Sequence, residues 1–277
     1  MRTRSLRSSL VSTGVAGVIS ALAVVPLLWV IFTSLKTKGE ILRNPIALPE
    51  VPQWQNFIEA WTVGRFGQYF WNSIVVVVPT VVGVIALSLM AAYAFALYDF
   101  RLKRTVFILL LFGMTVPVGL LIIPLYYQML SLGLLDTLWA IILPQIALGI
   151  PISTLLLRTF IAGLPRDLVD AARLDGASPW SLLWRIVFPL SRSAMLTLAI
   201  LQFMWVWNQF ILPVVLISDR DSRTLPTALS AFLGRYTTDT HLLMAGAAIS
   251  FVPVVIIFVV FQKRFVKGIT SGAMGNI

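Results

Sequence analysis

Residues that commonly carry enzyme chemistry are scarce in this sequence. Cysteine is absent and histidine occurs once, at His241, which excludes disulfides, thiol nucleophiles and a Cys/His zinc site. The phosphate-binding pattern G-x-x-x-x-G-K-[ST] is also absent, because glycine is never followed by lysine. Charged residues make up only 12% of the chain, about half of the fraction in a soluble domain. The sequence therefore predicts a non-catalytic chain that binds no cofactor, nucleotide or metal itself.

Apolar residues dominate what is present. They make up 58% of the 277 residues, and the mean hydropathy is +0.92. Because about 20 consecutive apolar residues can cross a bilayer as a helix, we predict an all-α polytopic membrane protein with six transmembrane helices. The third and fourth spans each contain two prolines, which are expected to kink them. The predicted spans are about 10–35, 71–97, 105–127, 138–160, 194–217 and 242–261.

Basic residues are distributed unevenly between the segments that join the spans. Six spans place both chain ends on one side, and 14 of the 21 lysines and arginines then fall on that side. The loop Asp99–Arg104 holds three of them, whereas the loop Ser131–Thr137 holds none. Basic loops favour the cytoplasmic side, so we predict cytoplasmic N- and C-termini. Membrane orientation accounts for the net charge of +10 better than nucleic-acid binding does.

A long polar stretch, residues 165–189, separates the fourth span from the fifth. Gly176 suits the end of a helix, because glycine adopts the left-handed conformation without a Cβ clash. Ser178 followed by Pro179 is typical of an N-cap and the first residue of a second helix, which Pro189 is expected to end. The residues alone leave two roles open: docking in a groove of a partner, or lying on the membrane surface.

The first of these two short helices carries residues suited to a partner contact. Charged residues that can orient such a contact are Asp170, Arg173 and Asp175. The predicted apolar side consists of Leu168, Ala171, Ala172 and Leu174.

The same stretch resembles the EAA motif of ABC importer permeases. In that motif Glu-Ala-Ala is followed after three residues by Gly, and after nine more by Ile-x-Leu-Pro. Here Asp170-Ala171-Ala172, Gly176 and Ile186-Val187-Phe188-Pro189 keep this spacing, with Asp in place of Glu and Phe in place of Leu. In the family this segment is the coupling loop, which docks on the ATPase subunit; here it is residues 165–189. The resemblance implies these docking residues: Asp170, Ala171, Ala172, Arg173, Asp175, Gly176, Ile186 and Pro189.

Shorter patches along nearly the whole chain resemble the carbohydrate, MalG-like branch of these permeases. Their order along the chain matches, and the resemblance implies the ABC type I importer permease fold. The patches are Thr33–Lys36, Asn72-Ser73, Ala92–Phe95, Leu132–Thr137, Trp207–Phe210, Thr224–Pro226 and, in the tail, Gln262, Phe265, Gly268 and Gly272.

The resemblance also implies partners and a location. The partners are a second, homologous permease that completes a heterodimer, two ATPase subunits that hold ATP and Mg²⁺, and an extracytoplasmic solute-binding protein. The membrane is the cytoplasmic (inner) membrane of a bacterium or archaeon. The chain then divides into a cytoplasmic N-terminus (1–9), a first transmembrane helix with an external segment (10–70), the permease core (71–265) and a cytoplasmic tail (266–277).

The predicted spans contain almost no ionisable residues, unlike those of proton- or sodium-coupled carriers. This favours an uncharged cargo. The fifth span has the most polar interior, with Gln202, Trp205, Asn208 and Gln209. Amides can hydrogen-bond hydroxyls and aromatic faces can stack on sugar rings, so these residues are a possible cargo path. The alternative, that the amides hold neighbouring helices together, stays open.

We therefore predict the permease subunit of an ATP-driven ABC importer that carries a sugar or oligosaccharide. One alternative is the same machinery for another solute, such as glycerol phosphate, a polyamine or a peptide. A membrane enzyme or a passive scaffold is a third hypothesis, which failure to copurify an ATPase partner would favour.

Overall fold

The computed structural model describes residues 6–234 and 238–273, and this part of the chain is mainly helical. A π-helical turn, Leu183–Val187, lies between two short helices, and an isolated β-bridge joins Leu233 to Thr238. The α-helices are α1 (Leu6–Ser34), α2 (Lys38–Arg43), α3 (Gln55–Val63), α4 (Phe66–Leu97), α5 (Lys103–Phe112), α6 (Val118–Ser131), α7 (Trp139–Ala162), α8 (Arg166–Leu174), α9 (Pro179–Leu182), α10 (Phe188–Leu190), α11 (Arg192–Trp207), α12 (Ile211–Leu216), α13 (Leu225–Ala228) and α14 (Thr240–Ala273).

Four of these helices are long and apolar enough to cross a membrane. They are α4, α7, the Gly17–Ser34 part of α1 and the Thr240–Gln262 part of α14. Two further pairs reach this length only as bent units: Lys103–Thr115 with Val118–Ser131, and Pro179–Leu190 with Arg192–Trp207. In the described residues the number of candidate spans is therefore four, or up to six if each bent pair is one span. The predicted count of six requires both pairs.

The predicted third span is not a continuous helix. Its two halves, α5 and α6, meet at 101°. Val116, between them, is extended, with φ −84° and ψ 116°. A following proline disfavours the helical conformation for the residue before it, so Pro117 ends one helix and caps the next rather than kinking a single helix.

The predicted fifth span, 194–217, is also interrupted. The helix α11 ends at Trp207 and α12 begins at Ile211. Asn208 closes α11, because its backbone N–H and its side-chain Nδ2 both donate to the carbonyl oxygen of Met204, at 3.3 and 2.8 Å. Asparagine side chains compete in this way with continued helical hydrogen bonding. Apolar composition alone had predicted a continuous helix.

The chain ends are helical further than predicted. The helix α1 begins at Leu6, inside the predicted N-terminal segment 1–9, and α14 continues to Ala273, inside the predicted tail. Arg2, Arg4 and residues 274–277 lie outside the described residues, as do the side chains of Phe265 and the rest of the tail after Gln262. The short extramembrane helices expected between the first two spans are α2 and α3.

The chain divides into two compact units. The first comprises the residues up to Gly67 together with Ala228–Val252, and the second comprises Gln68–Thr227 together with the residues from Pro253. In the first unit the amide of Asn56 donates to the carbonyl oxygens of Ser34 and Lys36, at 2.7 and 2.9 Å. The bond to Ser34 satisfies a carbonyl group that the end of α1 leaves without a helical partner, and the bond to Lys36 fixes the residues that follow the helix.

In the second unit, hydrogen bonds join two of the patches identified in the sequence. The Nδ2 atom of Asn72 donates to the carbonyl oxygens of Asp221 and Arg223, at 2.7 and 2.8 Å. The hydroxyl of Ser73 accepts from the backbone N–H of Leu225 at 2.8 Å. The beginning of α4 is thereby fixed to the loop that leads into α13.

Close packing of α7 in the second unit depends on Gly149. A Cβ atom at this position would lie 2.8 Å from Cγ2 of Val84 on α4 and 3.1 Å from Oε1 of Gln202 on α11. Both distances are shorter than ordinary van der Waals contact. The glycine therefore allows three helices to approach one another at one level.

We predict that Gly149→Ala lowers the stability of the detergent-solubilised protein by about 1–3 kcal/mol through overpacking. Gly119→Ala is the matched control, because no heavy atom lies within 4 Å of a Cβ at that helical position. Thermal unfolding followed by circular dichroism measures both. If both variants unfold at the same temperature, the close approach at Gly149 is wrong.

Candidate functional site

The coupling loop is anchored to the rest of the chain by the inner side of α8. The side chains of Val169 and Ala172 are 4% and 8% exposed. They belong to one buried apolar cluster with Leu89 of α4, Leu157 of α7 and Leu198 of α11. Because protein interiors are close-packed and transmit strain, a force on α8 acts directly on the ends of three long helices.

The outer side of α8 contains three of the four residues of the predicted apolar side. Leu168 and Ala171 are exposed, and Leu174 is 89% exposed, whereas Ala172 points inward. The inward pair has i, i+3 spacing, and the sequence analysis missed Val169 because it grouped the small and leucine side chains instead. An apolar side chain as exposed as Leu174 is suited to an apolar contact with a partner.

The charged docking residues lie on the same exposed side. The guanidinium of Arg173 is 3.6 Å from a carboxylate oxygen of Asp170 and donates to the carbonyl oxygen of Leu97 at 3.2 Å. It also lies 5.7 Å from the ring centre of Tyr98. Asp170 and Asp175 are both exposed. Because an exposed ion pair is weak, the contact with Arg173 does not prevent Asp170 from binding a partner.

The bend after α8 has the geometry of a Schellman helix end. The N–H of Ala177 donates to the carbonyl oxygen of Ala172 at 2.9 Å, and the N–H of Gly176 donates to that of Arg173 at 3.1 Å. Gly176 has a φ of +79°, which confirms the left-handed conformation expected from the sequence. A Cβ there would meet no heavy atom within 4 Å, so the requirement for glycine is conformational.

The second half of the coupling loop begins as predicted and ends later. The hydroxyl of Ser178 accepts from the N–H of Ser181 at 3.2 Å, and Pro179 is the first helical residue. Pro189 does not end the helical path, which bends by 73° around Ser191. Since a proline cannot donate to the preceding turn, the wide π-turn immediately before α10 accommodates it. Ile186, in that turn, is half-buried against the core cluster.

A tyrosine on α4 holds this second half in place. The hydroxyl of Tyr93 donates to the carbonyl oxygen of Pro179 at 2.7 Å and lies 2.6 Å from the hydroxyl of Tyr98. Since Tyr93 uses its hydrogen on Pro179, Tyr98 donates to Tyr93. In the sequence, Tyr93 belongs to the patch Ala92–Phe95, and nothing in that pattern predicts a role for its hydroxyl.

The four possible cargo-path residues occupy different environments. Gln202 is 7% exposed, and its Nε2 donates to the hydroxyl of Ser153 on α7 at 3.0 Å. Asn208 caps its own helix, Trp205 is 61% exposed and Gln209 is half-buried. The structure therefore places one amide between two helices, and the indole of Trp205 is mostly uncovered by the described residues.

Another buried amide, Gln145, was missed. It is 3% exposed, and neither its oxygen nor its nitrogen has a hydrogen-bond partner among the described residues. Gln145, Gly149 and Ser153 follow one another at intervals of four on α7, so they share the face that meets Gln202. Gln145 could have been identified from the sequence, because it is a polar residue inside a predicted span.

Comparison with known proteins places the chain among transport proteins. Residues 84–271 match the family described as "Binding-protein-dependent transport system inner membrane component". The chain is 37% identical over 255 residues to the diacetylchitobiose uptake system permease protein NgcG of Streptomyces coelicolor, which covers 91% of this chain and 84% of that protein. It is 36% identical to the arabinooligosaccharides transport system permease protein AraQ of Halalkalibacterium halodurans, over 99% of this chain and 98% of that one.

A solved structure has the same fold. It is the crystal structure of a bacterial ABC transporter involved in the import of the acidic polysaccharide alginate. The TM-score is 0.80 at 22% identity, and the match covers 96% of this chain and 99% of the other.

We predict that Tyr93→Phe loosens the second half of the coupling loop by about 1 kcal/mol, the net value of one hydrogen bond. Hydrogen exchange of residues 179–190 measures this as faster exchange in the purified protein. Tyr98→Phe is the matched control, because it leaves the bond to Pro179 intact and is expected to have a smaller effect. Equal exchange in Tyr93→Phe and the unmodified protein would disprove the anchoring role.

Proposed function

This chain belongs to the family of binding-protein-dependent transport system inner membrane components, and we propose that it is the permease subunit of an ATP-driven importer of a sugar or oligosaccharide. The observation that carries the cargo class is the likeness, over at least 91% of the chain, to proteins named for the uptake of diacetylchitobiose and of arabinooligosaccharides. Spans almost free of ionisable side chains support a neutral cargo over a charged one.

The energy source in this proposal is a pair of separate ATPase subunits, which bind ATP and Mg²⁺. This chain itself binds no cofactor and catalyses no reaction. A second, homologous permease completes the translocation path as a heterodimer, and an extracytoplasmic binding protein delivers the cargo. Support comes from the family, whose members work with binding proteins, and from the uncovered aromatic side chain of Trp205, which is available to the cargo or the second permease.

The coupling loop is the proposed docking site for an ATPase subunit. Its outer side presents Asp170, Leu174 and Asp175, whereas Val169 and Ala172 pack into the core cluster. When ATP binding closes the ATPase pair, the movement of α8 passes through that cluster into α4, α7 and α11. In this role Ala172 and Ile186 hold the loop in position by packing in the core cluster, and the exposed residues of α8 contact the ATPase subunit.

The coupling loop and the basic loop at Asp99–Arg104 then face the cytoplasm, together with both chain ends. The family is an inner membrane component, and the excess of basic residues on this side supports the orientation. We keep the segments proposed from the sequence, with the permease core at 71–265 and the tail at 266–277. In this orientation the tail faces the cytoplasm.

The cargo path is proposed to run along the polar face of α7. Gln145 offers a buried amide without a partner among the described residues, and Ser153, two turns further along the same face, is bonded to Gln202 of α11. Trp205, Asn208 and Gln209 extend the path along and beyond the end of α11. An amide that has no hydrogen bond to the described residues can bond a sugar hydroxyl without breaking an existing one.

Docking is tested by Gly176→Val, which forces a β-branched residue into a left-handed conformation. We expect loss of ATPase copurification and at least a tenfold loss of ATP-driven uptake, since about 1.4 kcal/mol corresponds to a factor of ten. Gly133→Val is the matched control: Gly133 also has a positive φ, +67°, and open space around its Cβ, but it lies in the loop predicted to be external. Normal assembly and uptake in Gly176→Val would rule out docking through the coupling loop.

The cargo path is tested by comparing Gln145→Leu with Gln202→Leu. Replacing an unbonded buried amide by an apolar isostere is expected to leave stability unchanged or higher, while sugar uptake falls. Gln202→Leu, in contrast, leaves the hydroxyl of Ser153 without its donor and is expected to lower stability by about 1–3 kcal/mol. Thermal unfolding and uptake of labelled oligosaccharides are measured on both. Full uptake by a stable Gln145→Leu protein would remove Gln145 from the path.

A further inference from the structure

A cavity of about 480 Å³ lies at the junction of α4, α5 and α7, and none of the residues that line it belongs to the coupling loop. Its walls combine aromatic rings with basic side chains. Phe95 and Phe107 form an edge-to-face pair, with ring centres 5.1 Å apart, and the ring centre of Phe100 lies 5.7 Å from that of Phe95. These three rings form the apolar part of the cavity wall. The cavity lies beside the basic segment Asp99–Arg104, where α4 ends and α5 begins.

Arg158, on α7, is held in the wall of this cavity. Its guanidinium carbon lies 4.3 Å from the centre of the Phe107 ring, and its Nε donates to the carbonyl oxygen of Phe95 at 3.4 Å. Within the described part of the chain, the two terminal nitrogens of this guanidinium have no hydrogen-bond acceptor. The side chain is thus oriented by an aromatic face and retains a fork of donors, the geometry with which arginine binds phosphate.

Two more cations line the cavity, and one carboxylate offsets part of their charge. Lys103 donates to Asp99 at 2.9 Å, and this hydrogen bond holds the pKa of the Asp99 carboxyl below its usual range. Arg104 is exposed and forms neither a hydrogen bond nor an ion pair with the residues that the structure describes. Three basic groups against one acid leave an excess of two positive charges around the opening.

The surface next to the cavity indicates what kind of anion fits. The helix α5, which begins with Lys103, continues with apolar side chains that are exposed: Val106, Leu109 and Phe112. A ligand that places a phosphate between the basic groups can therefore lay an acyl chain along the same helix. Free inorganic phosphate would leave this apolar strip unused.

We propose that this cavity binds the phosphate of an anionic phospholipid from the leaflet on its own side of the membrane. Arg158 and Arg104 supply the donors, and the apolar part of the cavity wall contacts the glycerol and the upper acyl carbons. Basic pockets between membrane helices on the cytoplasmic side are suited to anionic lipid headgroups. The assignment to the cytoplasmic leaflet rests on the proposed orientation, but the binding chemistry does not.

The test is native mass spectrometry of the purified transporter complex titrated with phosphatidylglycerol and, separately, with phosphatidylcholine. We expect preferential binding of phosphatidylglycerol, weakened about fivefold by Arg104→Gln, since a basic residue near such a surface contributes about that factor. Arg158→Gln is expected to weaken it at least as much. Arg101→Gln is the matched control, because Arg101 lies three residues before Arg104, carries the same charge and is not part of the cavity wall.

Three results would overturn the proposal. Equal lipid binding by Arg104→Gln and Arg101→Gln would remove the cavity from lipid recognition. Displacement of the lipid by inorganic phosphate alone would indicate a simple anion site. Unchanged lipid binding together with lost copurification of the ATPase would identify the cavity as a protein contact. Because Arg104 is exposed and makes no hydrogen bond or ion pair with the described residues, its replacement is expected to leave folding intact, and unaltered thermal unfolding verifies this.

Discussion

Burial of Val169 and Ala172 beneath the ends of α4, α7 and α11 is the interaction on which this account of the molecule depends. Without it the coupling loop would be a surface hairpin free to move by itself. With it, the two short helices, the glycine bend and the membrane helices share one close-packed cluster, so displacement of the loop displaces the helix ends. The Tyr93 hydroxyl adds a directional bond from α4 to the second half of the loop.

Local rules in the sequence predicted the loop better than they predicted the spans. The left-handed Gly176 and the cap at Ser178 follow from backbone sterics and from one hydrogen bond each, so a few neighbouring residues determine them. The breaks at Pro117 and Asn208 lie inside apolar stretches, where composition predicts a continuous helix. The inward side of α8 could be predicted only with knowledge of the surface it packs against. This explains why Val169 was missed and why Ala172 was assigned to the partner-facing side, whereas Leu174 is exposed as a partner contact requires.

Some polar side chains inside the helical bundle are hydrogen-bonded between helices, whereas another has no partner among the described residues. Gln202 and Ser153 bond each other across two helices, in accordance with the structural alternative for a polar span. Gln145 is buried without such a bond among the described residues, which is costly unless something else supplies a partner. No sequence rule separates these two glutamines, because the difference lies in whether a polar group of another helix is within hydrogen-bond distance.

The central claim is that an ATPase subunit covers the outer side of the coupling loop in the cytoplasm. The chain has no cysteine, so Leu174→Cys provides a single thiol at a side chain that is 89% exposed in this chain alone. The decisive measurement is the rate at which a membrane-impermeant maleimide modifies this thiol in inside-out vesicles, with and without the ATPase subunits. The account predicts rapid modification without them, strong protection with them, and no modification in sealed right-side-out vesicles. An equal rate with and without the ATPase subunits, or modification from the outside, would contradict it.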